Sequence, residues 1–166
     1  MIEFSRGDVR FNYRIAGAAI HDGRVLLQQA IEEGFWVLPG GRAELLESAA
    51  ETLTREMKEE LDVVIKIDRL LWIVENFFEY SGFRYHELSF IFLMHFPEDS
   101  PLYHVDGLIE GVEGTAPAVF RWFALGELDS IPLYPGFLRG QLLSMPETAA
   151  HIVHYDRPQP VLDATD

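Results

Sequence analysis

Three glutamates, Glu56, Glu59 and Glu60, have the type and spacing to do chemistry. On a helix, at about 100° per residue, Glu59 falls about 60° to one side of Glu56 and Glu60 about 40° to the other. Three carboxylates therefore share one face within two turns, where like charges repel by roughly 0.2–0.5 kcal/mol per pair. An acidic helix face is ordinarily solvated surface. These acids, however, lie beside the apolar stripe of Leu53, Met57 and Leu61 instead of opposite it. Carboxylates at the margin of a core suggest a cation that offsets their repulsion. Oxygen ligands with no Cys or His among them suit Mg2+ or Mn2+ better than zinc. A divalent cation so held can neutralise phosphate oxygens.

The elements that must position these residues follow from the local pattern. Ser48 with Glu51 three residues on is a capping-box pattern, which predicts a helix over Ser48 to Leu61. On its outward arc fall Glu51, Arg55 and Lys58, with Glu51 and Arg55 spaced as an i,i+4 pair. Upstream, Ile15 to Ile20 and Val25 to Leu27 flank Asp22-Gly23, a hairpin signal. Trp36-Val37-Leu38 reads as a short strand, stopped by a Pro39-Gly40-Gly41 loop in which backbone can approach a ligand closely. Downstream, Val63 to Phe78 and Arg84 to Phe96 read as strands joined at Ser81-Gly82. Pro97 to Pro117 is irregular, Phe120 to Phe123 a strand, Leu125 to Leu128 a helical turn, and Gly136 to Leu143 a short helix. From Met145 the chain is Pro-rich and polar, with its last eight or so residues loose. Mixed strands with one dominant helix argue for an α+β or layered α/β/α domain.

Bulk properties narrow the function. At 166 residues the chain has the length of one domain. With 48% hydrophobic and 13% aromatic residues it can build a sizeable core. There are 27 acidic against 13 basic residues, a net charge of −14, and no two Lys or Arg are adjacent. Binding to a nucleic-acid backbone needs clustered cations, so it is not expected. The absence of cysteine removes disulfides, thiolate metal sites and cysteine nucleophiles, and fits a reducing cytosol. No signal peptide or membrane-spanning run is visible, so a cytoplasmic location is the default expectation.

Gly41, five residues, Glu47, seven residues, then Arg55-Glu56-Met57-Lys58-Glu59-Glu60-Leu61-Asp62-Val63 resembles the Nudix box. Trp36-Val37-Leu38-Pro39-Gly40-Gly41 looks like its usual entry. Two positions depart: the final glycine is Asp62, among the residues that tolerate the left-handed conformation of a helix C-cap, and the aliphatic position is Met57.

The resemblance implies one Nudix domain across residues 1–166. Its fold would be an α/β/α sandwich, with a central mixed sheet and the box at 41–63 as a loop–helix–loop. Glu56, Glu59 and Glu60 would bind magnesium or manganese, with Arg55 and Glu47 pairing to steer them and Gly40 and Gly41 lining the substrate site. A further metal carboxylate is expected from a loop across the site, Glu113 first and Glu110 second. His86-Glu87 could face the substrate. Tyr80, 17 residues beyond Val63, is spaced similarly to a tyrosine of some diadenosine polyphosphate hydrolases. The implied function is water attack on the diphosphate of a small nucleotide-like substrate: a nucleoside triphosphate, dinucleoside polyphosphate or nucleotide sugar. A catalytically silent nucleotide sensor on the same fold is the alternative. A homodimer is an assembly common in the family.

Overall fold

The computed structural model describes residues 1–112 and 117–156. Strand β1 (Glu3–Arg6) turns back into β2 (Val9–His21), the spine of the molecule. Asp22 and Gly23 both take positive φ, 48° and 70°, and return the chain as β3 (Arg24–Ala30), as the Asp-Gly signal predicts. Then follow β4 (Gly40–Arg42), α1 (Ala49–Leu61), β5 (Lys66–Tyr80), β6 (Phe83–His95) and β7 (Ile109–Glu110). The last elements are β8 (Ala118–Ala124), α2 (Leu138–Gln141) and β9 (Ala150–Tyr155), with 3₁₀ turns at Pro101–His104 and Leu125–Ser130.

The sheet order is β7-β8-β3-β2-β6-β5-β9, with β1 and β4 also pairing with β2. The β2–β6 and β5–β9 pairs are parallel and the others antiparallel, so the sheet is mixed. Side-chain alternation sends Ile15 and Leu26 into one core, with Leu53 and Met57 of α1, and Ala16 and Leu27 into another, with Leu128 and Leu138. Helical segments thus cover both faces, the layered α/β arrangement expected. Among the described residues no helix is long and apolar enough to cross a membrane.

Helix α1 starts and stops where its caps dictate. Ser48 Oγ accepts from Glu51 N at 3.3 Å and the Glu51 carboxylate accepts from Ser48 N at 2.8 Å, completing the capping box. At the other end Asp62 adopts φ 52°, ψ 36°, and donates its N–H to Lys58 O at 3.1 Å. Aspartate therefore does the left-handed work of the glycine it replaces.

Three local expectations are corrected. Trp36-Val37-Leu38 makes only single bridges, Val37 to Gln28 and Trp36 to Leu133. The strand lies instead in the glycines: β4 pairs with Arg14–Ala16. Gly40 has φ 145°, and a Cβ there would stand 2.1 Å from Ile15 O, so only glycine permits this approach to β2. Beyond Met145 the chain is not all irregular, because Ala150–Tyr155 adds β9 beside β5. Its half-buried and exposed residues alternate, but the inward positions include His154, which blurs the apolar pattern. The helix expected over Gly136 to Leu143 is confined to Leu138–Gln141. The stretch called loose at the C-terminus lies outside the described residues.

Candidate active site

The loop between β4 and α1 brings Glu47 back under the helix, and Arg55 reaches it. Arg55 Nε and Nη2 donate to the two carboxylate oxygens of Glu47 at 2.9 and 3.1 Å, and Nη2 also donates to Arg42 O at 3.2 Å. The expected outward pairing of Arg55 with Glu51 is thus corrected: Glu51 is spent on the cap, and Arg55 turns inward. Its Nη1 donates to Glu56 at 2.8 Å and to Glu59 at 3.2 Å. Thr52 Oγ1 adds a hydrogen bond to Glu47 at 2.9 Å. The Arg55 guanidinium, with help from Thr52, holds the Glu47 carboxyl down at about 2, and Glu47 in turn pushes the guanidinium further up. One arginine therefore ties the loop to two carboxylates of the helix.

Glu56 stands against Gly41, where a Cβ would lie 2.2 Å from the Glu56 carboxyl carbon. That glycine leaves room for the carboxylate. Glu60 turns the other way: its Oε1 accepts from Gln28 Nε2 at 2.9 Å, and Gln28 Oε1 accepts from Gly40 N at 3.3 Å. Its second oxygen, Oε2, is buried with no hydrogen-bond partner. Burial, assisted by the charge of Glu56, pushes the Glu60 carboxyl up to about 7, against the pull of Gln28.

Glu56, Glu59, Glu60, Arg55, Gly40 and Gly41 all line one cavity of about 1120 Å³. Ligand sites run to roughly 300–1,000 Å³, so this one has room for a nucleotide. Among the described residues no three Asp, Glu or His side chains already converge at metal-ligand spacing. Glu56 and Glu59 lean on Arg55 instead, and Glu60 on Gln28. The donor set nonetheless fits a hard cation: three carboxylates, one with a buried oxygen lacking any partner.

The other expected residues divide. Glu87 is buried, lines the cavity, and accepts from Asn12, Asn76 and Ser89. Its neighbour His86 alternates to the opposite face and stacks on Phe77, so the pair is split. Tyr80 stands at the cavity rim, edge-on to Phe35, with its hydroxyl donating to Glu33 at 2.8 Å. Glu33 holds that hydroxyl's proton more tightly than usual. Glu110 lies in β7, exposed and off the cavity wall, although its loop reaches the helix through Val112 N to Glu60 O at 2.8 Å. Glu113 lies outside the described residues. Sequence reasoning missed Gln28, Asn12, Asn76 and Thr52. The available signal was a polar residue at an inward strand position, as in Gln28 after Val25-Leu26-Leu27.

A model of the NUDIX domain matches residues 12–140 of the chain. An uncharacterized Nudix hydrolase of Bacillus subtilis (strain 168), YvcI, is 32% identical over 115 residues, covering 69% of this chain and 67% of that protein. Among solved structures, a MutT Nudix hydrolase from Burkholderia pseudomallei is 30% identical, with a TM-score of 0.54 over 71% of this chain and 86% of that one. A MutT protein from Bacillus halodurans shares the fold at a TM-score of 0.62 and 21% identity, covering 89% of this chain and 91% of that one. The family model extends far beyond the 23-residue box into both faces of the sheet: the chain belongs to the Nudix hydrolase family, whose members are pyrophosphohydrolases.

Proposed function

We propose that the chain is a magnesium-dependent hydrolase of the phosphoric anhydride in a small nucleoside diphosphate-linked compound: a nucleoside triphosphate, dinucleoside polyphosphate or nucleotide sugar. The observation that carries this reading is Glu60, a carboxylate held at the cavity wall with one buried oxygen unpartnered. Glu56, Glu59 and Glu60 would hold Mg2+, or Mn2+ in its place. When bound, such an ion supplies positive charge against the oxygens of the anhydride. Arg55 and Glu47 are positioning residues, fixing Glu56 and Glu59 relative to the loop. A carboxylate of the box takes the proton of the attacking water as its oxygen bonds to phosphorus and the bridging P–O bond breaks. Gly40 and Gly41 line the substrate's side of the cavity, where Gly41 leaves room for the Glu56 carboxylate, and Tyr80 and Glu87 flank its far end. We further propose that one domain carries the whole activity and works in the cytoplasm on a small molecule.

The test is release of nucleoside monophosphate or phosphate from a substrate panel. Turnover is expected with magnesium and not in excess EDTA; full-rate hydrolysis in EDTA would sink the reading.

A further inference from the structure

The wall of the cavity is acidic, and its cations are few. Eight carboxylates line it against three guanidinium groups, those of Arg14, Arg42 and Arg55. Two of the three are spent on carboxylates: Arg42 pairs with Glu3 at 2.9 Å, and Arg55 with Glu47, Glu56 and Glu59. Arg14 differs. Among the described residues it forms no ion pair, and its one hydrogen bond runs from Nη2 to Leu38 O at 3.1 Å. Its Nε and Nη1 have no partner, and neither is sealed away from the surface. A guanidinium carries five N–H donors, so most of this one's capacity is free. The residue is half-buried, where a charge is ordinarily paired.

The place of Arg14 in the cavity says which anion would complete it. Strand alternation turns it away from Ile15, onto the face that carries Ala16 and Leu38. There Leu38 O anchors the guanidinium at the head of the Pro39-Gly40-Gly41 loop. Gly40 in that loop donates to Gln28, which holds Glu60, and Gly41 abuts the Glu56 carboxylate. One short loop therefore meets Arg14, Glu60 and Glu56 in turn. From Leu38 to Gly41 the chain spans at most ~11 Å. The charges also act on each other: burial raises the Glu60 carboxyl, while Gln28 and Arg14 draw it back down.

We propose that Arg14 binds the phosphate adjoining the one attacked, closing its free N–H groups on two oxygens of that phosphate. This rests on the hydrolytic reading above for the seat of the attacked phosphate. The carboxylates of α1 serve one phosphoryl group through their ion. The neighbouring group needs a counter-charge of its own in a wall otherwise dominated by acids, and Arg14 is the cation left to supply it. A guanidinium fork matches phosphate oxygens two at a time, as a point charge does not. As the bridging P–O bond breaks, its electron pair stays on the bridging oxygen and negative charge grows on this second phosphate. A cation fixed there beforehand stabilises that charge as it develops.

The test uses the full chain and methylenediphosphonate, a diphosphate whose bridging CH2 cannot be hydrolysed. Its binding is read by calorimetry with magnesium, in the wild type, Arg14→Gln and Arg14→Lys, each checked for folding by circular dichroism. Arg14→Gln should bind on the order of tenfold or more weaker, since a charge-assisted pair is lost. Arg14→Lys keeps the charge without the fork and should still lose several-fold. The melting shift produced by magnesium alone should be no smaller in either variant, because removing a positive charge does not weaken a cation's seat. Unchanged binding in folded Arg14→Gln overturns the proposal, as does a wild type that does not bind the probe. So does a magnesium shift that falls together with binding, which would mean that Arg14 only props the carboxylates. If Arg14→Gln does not fold, parity of Arg14→Lys with the wild type overturns the proposal in its place. If the probe binds through Arg14 but no anhydride is cleaved, Arg14 stands and the hydrolytic reading falls. Cleavage indifferent to Arg14→Gln means the reverse.

Discussion

Arg55 shows how much one side chain can organise. It grips Glu47 with two nitrogens and reaches Glu56 and Glu59 with a third. Lysine carries the same charge but has a single point of contact, so it cannot make this fork. Arg55→Lys is therefore expected to leave the chain folded and to lower kcat by about tenfold or more, because Glu56 loses its fixed position. Arg55→Ala should in addition cost about 1–3 kcal/mol of stability, by leaving Glu47 half-buried without its partner. Urea titration alongside turnover separates the two effects. If Arg55→Lys turns over at the wild-type rate, Arg55 does not position the site. The pairing itself was legible only through the resemblance. A helical wheel gives the direction of Cβ, which for Arg55 is outward, and says nothing of where a long side chain bends back.

At the scale of elements, the two glycines of β4 make separable contributions. A Cβ at Gly40 would meet backbone of β2, at 2.1 Å from Ile15 O, and the residue needs φ 145°. A Cβ at Gly41 would meet only the flexible end of Glu56. Gly40→Ala should thus lower the melting temperature markedly. Gly41→Ala should stay folded and lose turnover, since the Glu56 carboxylate must move. Thermal unfolding and kcat measured on both variants check this, and equal effects on both properties would refute the division. What the sequence made readable here was what is local. The α1 helix, its caps and the β2–β3 turn each depend on residues within a few positions of one another. Gln28, 32 residues from Glu60, and Asn12, 75 residues from Glu87, have no local signature, because only the fold brings their partners near. Strand β9 was hidden likewise, since its partner β5 lies far upstream and its inward side carries His154.

At the scale of the whole molecule, Glu60 couples stability to pH, and under the proposed function to metal as well. Its carboxyl is raised from 4.5 to about 7 in the folded chain by burial. The folded state therefore binds that proton more tightly than the unfolded state does. Without metal, stability from this group is greatest below about 4.5 and declines as pH rises toward 7. Glu47 acts with the opposite sign: its carboxyl is lowered to about 2 by Arg55, so its contribution is full above 4.5 and lost as pH falls toward 2. Magnesium competes with the proton on Glu60, so its stabilisation of the fold should be larger at pH 8 than at pH 6. Calorimetric melting at both pH values, with and without magnesium, measures this; an equal or larger shift at pH 6 would count against Glu60 as a ligand. The central claim is that the inward carboxylates of α1 hold the ion over the reacting phosphate, and it is tested most directly by turnover of three alike substitutions. Glu56→Gln and Glu60→Gln remove one charge each from the cavity wall, whereas Glu51→Gln changes only the helix cap. On one substrate in saturating magnesium, with all three folded, kcat should fall by ~10²–10³ for the first two and stay within a few-fold for the third. Equal, mild losses across the three would contradict the account and return the acidic face to plain surface.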